Sequence, residues 1–93
     1  MVSESGGTGA RDLMLIGIAY TIGQGVPQDF VLAHKWLNIA AARAEGENQK
    51  FVSKARDGLA KNMTSQQVAD AQKAAREWVE AFEKRKKQPT AWG

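Results

Sequence analysis

The sequence predicts an all-α fold: an αα-hairpin followed by two further helices, together a solenoid-like helical unit. Apolar residues recur at spacings of three and four in four separate stretches, the period at which one face of a helix repeats. Glycine and proline punctuate those stretches where a helix would have to stop. Residues that cap helix starts stand where two of the stripes begin.

From Ala10 to Ile22 the stripe is Leu13, Ile16, Gly17 and Tyr20, widened by Met14, Ile18 and Ile22, so this helix is expected to be buried on most sides. Gly23-Gln24-Gly25-Val26-Pro27-Gln28 then offers a glycine for a left-handed C-terminal cap, a second glycine, and a proline that cannot continue the helix. Asp29 is the expected N-cap of a second helix reaching Ala44, with Phe30, Ala33, Trp36, Leu37, Ala40 and Ala41 on one face.

Gly46 interrupts that pattern, and a third, shorter helix is predicted from about Asn48 to Lys61, facing inward through Phe51, Ala55 and Leu59 with Val52 beside them. Thr64-Ser65-Gln66-Gln67 is a capping box, in which the Thr64 hydroxyl and the Gln67 amide satisfy each other's backbone donors. The fourth helix starts there with Val68, Ala71, Ala75, Trp78 and Phe82 as its stripe, and is expected to stop at Lys84-Arg85-Lys86-Lys87 and Pro89. The organisation predicted is a flexible leader over 1–9, a hairpin over 10–46, a helical pair over 47–87 and a tail over 88–93.

With 93 residues the chain has room for one small core, and 43% hydrophobic with 25% charged residues is the balance of a globular domain rather than a disordered one. The absence of cysteine removes disulfides, thiol nucleophiles and Cys-based metal sites. The longest uncharged run, Leu13 to Gln28, is broken by three glycines and a proline and is shorter than the roughly 20 apolar residues of a membrane span. The start, Met-Val-Ser-Glu-Ser, has an acid where a signal peptide has basic residues, so the expected location is the cytoplasm, or the periplasm if an export signal has been removed. Residues 1–47 carry three basic and five acidic residues, and residues 48–93 carry ten and five. That asymmetry motivates an alternative reading as a basic module for nucleic acid or an anionic membrane, although no basic residues interleave with aromatics.

Two helices joined by a glycine loop, with alanines where they must approach closely, are the unit of α-solenoid repeats. Residues 10–46 resemble the Sel1-like repeat: Ala10, Gly17, Tyr20, Gly23-Gln24-Gly25-Val26, Asp29, Ala33, Trp36 and Ala40-Ala41 stand at that family's spacings. Residues 56–78, with Arg56-Asp57-Gly58-Leu59, Met63-Thr64-Ser65-Gln66-Gln67 and Glu77-Trp78, are similar to the helical ending of bacterial Sel1-like proteins. The resemblance implies a scaffold that binds other proteins, an adaptor or complex subunit, and carries over no catalytic residue or cofactor. A single repeat departs from the family pattern, because solenoids need about three units to bury a continuous core. The side of the first helix where a preceding repeat would stack is the expected contact surface, with Met14 and Ile18 as its residues.

Other candidates read as structural. His34 is the single histidine and is expected to face solvent, since one imidazole is no metal cluster. Asp70, Glu77, Glu80 and Glu83 lie among Lys73, Arg76, Lys84 and Lys87 and read as a solvated helix face rather than an acid/base pair, so no catalytic residue is assigned. Gly23-Gln24-Gly25 lacks the lysine of a phosphate loop, and Asp29 puts negative charge where phosphate would sit. Lys84 to Lys87 complement a helix C-terminus. Trp36 and Trp78 belong to the core, whereas Trp92 in the tail is a candidate anchor for a partner.

Overall fold

The computed structural model describes residues 9–87. They form α1 (Ala10–Ile22), α2 (Phe30–Arg43), α3 (Gly46–Ala60) and α4 (Ser65–Lys87), with no strand among the described residues. The all-α class is therefore as the periodicity predicts. Most of the expected leader, the tail and Trp92 lie outside the described residues.

Local chemistry sets the first turn. Gly23 adopts φ 75°, ψ 33° at the end of α1 and donates its amide to the Ala19 carbonyl at 2.8 Å, a left-handed cap that a side chain would disfavour. The start of α2 is then tied to the end of α1 twice: the Asp29 amide donates to the Tyr20 carbonyl at 3.0 Å, and Gln28 Nε2 donates to the Thr21 carbonyl at 2.9 Å. Asp29 caps α2 as predicted, its Oδ1 accepting from the Leu32 amide at 3.1 Å. The capping box of α4 also forms, with Gln67 N donating to Thr64 Oγ1 at 3.0 Å and Thr64 N to Gln67 Oε1 at 2.9 Å.

The central element is α2, on which each of the other three helices packs. Gly17 of α1 lies against Leu37 and Ala33, so these two helices run antiparallel. From α3, Arg56 reaches Asn38, while Asn48 and Val52 lie by Ala44, so α3 is antiparallel to α2 as well. By contrast α4 runs parallel to it, with Gln67 beside Phe30 and Val31 at one end and Phe82 beside Arg43 at the other. Leu13, Leu37, Ile39 and Val52 are the largest fully buried side chains, each worth roughly 1.5–3 kcal/mol in burial. Ala33, Ala40, Ala41, Ala71 and Ala75 fill the remaining core and keep the helices close.

Three expectations are corrected. Rather than being covered on most sides, α1 buries only Leu13 and Gly17, because α2 is the single helix that covers it extensively; Ile16 is 37% exposed. The third helix starts at Gly46, two residues before the predicted Asn48, the glycine opening it at φ 61°. Its inward face is Val52 and Leu59, and Phe51 is exposed, since a step of one residue turns it about 100° away from the α2 contact. The fourth helix, α4, ends at Lys87 and carries the basic run in its last turns.

Candidate interaction surface

Two apolar stripes share α1. Leu13, Gly17 and Tyr20 face α2, where Leu13 and Gly17 are buried and Tyr20 is half-buried against the core. On the opposite side, Leu15, Ile18, Ala19 and Ile22 fall at i, i+3, i+4 and i+7, the spacing of a second helix contact. Leu15 is 50% exposed and Ile22 59%, with Ile18 and Ala19 half-buried between them. No charged residue stands anywhere from Leu13 to Gln28, so nothing along this face favours solvent over an apolar partner.

One end of the face opens into a notch of about 270 Å³ between α1 and α3, lined by Ala10, Arg11, Met14, Ala44, Asn48 and Val52. Exposed Phe51 is the neighbour of Val52 in sequence. Met14 thus has a double role, lining the notch while it packs against the core, and Ile18 stands one turn further along α1. The signal missed in the sequence is Leu15, which the seven-residue interval to Ile22 places on the outward face.

His34 is not solvent-facing as expected but 3% exposed, the one buried polar side chain among the described residues. That expectation rests on a lone imidazole making no metal cluster, which says nothing of burial, whereas α3 covers the face that His34 shares with Asn38. A chain of hydrogen bonds crosses that seam. Arg56 Nη1 donates to Asn38 Oδ1 at 3.1 Å, which turns the Asn38 amide nitrogen toward His34 Nδ1 at 3.3 Å. Nδ1 must therefore accept, and the imidazole proton sits on Nε2. Burial, and then the nearby Arg56 cation, hold the His34 pKa below the ordinary imidazole value, with Asp57 acting in the opposite sense.

The seam between α2 and α4 is aromatic. Trp36 meets Trp78 edge-on with centroids 5.5 Å apart, and Trp78 stacks on Phe82 at 5.3 Å. The Arg43 guanidinium lies over Trp78 and Phe82 at 5.7 and 5.0 Å, and Lys35 Nζ over Trp36 at 4.4 Å, contacts that hold the cations by the ring quadrupole. Asp70, Glu77, Glu80 and Glu83 are all exposed, as are Lys84 and Arg85. Among the described residues no group of three His, Asp or Glu side chains could hold a metal ion, and no helix is long and apolar enough to cross a membrane.

No protein-family model, curated protein or solved structure matches the chain.

Proposed function

We propose that this chain is a protein-interaction adaptor or accessory subunit of a larger complex, which docks on its partner through the outward face of α1. The observation that carries this reading is the exposure of Leu15 and Ile22 on a helix already covered on its other side by α2. Contiguous apolar surface of this kind is uncommon on a monomer and favours association. The Sel1-like spacing of Gly17, Tyr20, Gly23, Gly25, Asp29, Ala33, Trp36, Ala40 and Ala41 supports the same reading, since the outward side of α1 is where a neighbouring repeat would stack.

The test is a paired capture from the native organism followed by mass spectrometry, with the wild-type chain and a Leu15→Glu, Ile22→Glu variant as baits. The expected result is a partner retained by the wild type at high salt and absent from the variant, because burial of an apolar face resists screening. The variant with Lys84, Arg85, Lys86 and Lys87 replaced by glutamine should keep that partner. Binding of DNA or anionic vesicles at near-physiological salt, lost in the glutamine variant, would instead establish the basic module.

A further inference from the structure

A buried imidazole whose Nδ1 can only accept is poorly suited to gaining a proton. The Arg56 guanidinium can only donate, and its bond to Asn38 Oδ1 fixes which side of the amide His34 sees. Protonation of His34 would set an N–H of the ring against the N–H of the Asn38 amide. Asn38 cannot turn its oxygen to the ring without presenting its nitrogen to the Arg56 guanidinium, which has no acceptor. The closed seam thus has no arrangement in which all three residues are satisfied once the proton arrives, and an unsatisfied buried polar group is costly.

We propose that His34, Asn38 and Arg56 form an acid-released latch, in which proton uptake by His34 frees α3 from α2 while the hairpin of α1 and α2 stays folded. The charges acting on His34 are Arg56 and Asp57, both on α3. No charged residue follows Asp12 in α1, and the ionisable side chains of α4 from Asp70 to Arg85 are exposed. On α2 itself Lys35 turns away to cover Trp36. Asp57 could offset the new positive charge, but its side chain is 69% exposed and already held by Arg56 Nε at 3.1 Å.

Because Arg56 is on α3 while His34 and Asn38 are on α2, the element released is α3. It buries only Val52 and Leu59. The hairpin is held separately by the close approach at Gly17 and by the Asp29 and Gln28 bonds to the end of α1, and α4 by its aromatic seam. None of these contacts involves His34.

Amide hydrogen exchange of the wild-type chain at pH 7.5 and 5.0, expressed as protection factors, tests the latch. Protons favour the open form by up to about tenfold per pH unit below the ordinary imidazole titration. The expected result is a fall of about fivefold or more in protection across α3, which at pH 5.0 should exchange about tenfold or more faster than α1 and α2. Nitrogen-15 spectra of the imidazole should show the Nε2–H form at pH 7.5. In His34→Asn, which places a non-titrating acceptor near the position of Nδ1, α3 protection should not depend on pH. Unchanged α3 protection in the wild type, α3 amides as protected as those of α1 and α2 at pH 5.0, or an Nδ1–H tautomer would each overturn the proposal, and these three wild-type readouts decide it even if His34→Asn does not fold.

Discussion

Gly17 and Leu37 are in contact so close that position 17 leaves no room for a side-chain carbon. A Cβ at residue 17 would lie 2.8 Å from Leu37 Cγ and 3.2 Å from the Ala33 carbonyl oxygen. The glycine is needed for interhelical distance, not for backbone freedom, since it sits in the middle of α1. Glycine inside a helix costs roughly 0.5–1 kcal/mol against alanine, so by propensity alone Gly17→Ala should stabilise. Overpacking costs about 1–3 kcal/mol and should win here, because Leu37 is 2% exposed and the other partner is backbone. Thermal melts should therefore place Gly17→Ala below the wild type; a higher melting temperature would mean that α1 and α2 can move apart freely.

The two glycines of the turn respond to substitution for different reasons. Gly25 has φ 81° and open space around it, so Gly25→Val meets only the backbone penalty of about 1–2 kcal/mol. Gly23 has φ 75° and, in addition, a Cβ there would approach Gln28 Cβ at 3.3 Å. Both variants should melt below the wild type, with Gly23→Val the more affected. Melting temperatures matching the wild type within error for both would show that the turn does not need left-handed residues.

The features that could be read from the chain are those decided by near neighbours in sequence. Asp29 three residues before Leu32, Thr64 three before Gln67, and Gly23 after the last apolar turn each make a bond within one helical turn, so spacing alone predicts them. What could not be read is which face meets which neighbour. The period of α1 is satisfied by both of its stripes, and only the position of α2 decides that Gly17 is covered and Leu15 is not. His34 was misread for the same reason: its burial depends on Arg56, 22 residues further along the chain, and no local pattern announces that partner.

Burial of His34 also sets the direction of the pH dependence of stability. Its pKa in the folded chain lies below the ordinary value of 6.5, through desolvation first and Arg56 second. Between those two values the unfolded chain binds more protons than the folded one, so stability rises with pH there. The contribution is fully present above the ordinary imidazole value and is lost as pH falls from it down through the folded-state value. Melting temperature should accordingly drop between pH 7.5 and 5.5, and the drop should shrink in His34→Asn. An equal drop in that variant would assign the effect to other groups.

Met14 and Ile18 differ from Leu15 and Ile22 in what a charge would do to the fold itself. Met14 is half-buried, packs against the core and lines the notch beside Val52, so a carboxylate there would be drawn into partly desolvated surroundings. Burying a polar group without a partner costs about 1–3 kcal/mol on mutational scales. Arg11, also lining the notch, is positioned to offset some of that cost but is itself exposed, where ion pairs are worth little. Leu15 and Ile22 leave at least half of their surface in water, and a glutamate at either can keep its charge solvated. Met14→Glu with Ile18→Glu should therefore lower the melting temperature measured by circular dichroism, whereas Leu15→Glu with Ile22→Glu should leave it nearly unchanged and reduce association alone. If the Leu15, Ile22 pair proved the more destabilising of the two, the outward stripe would be part of the core of the folded chain and the docking face would have to be sought on α3 around Phe51.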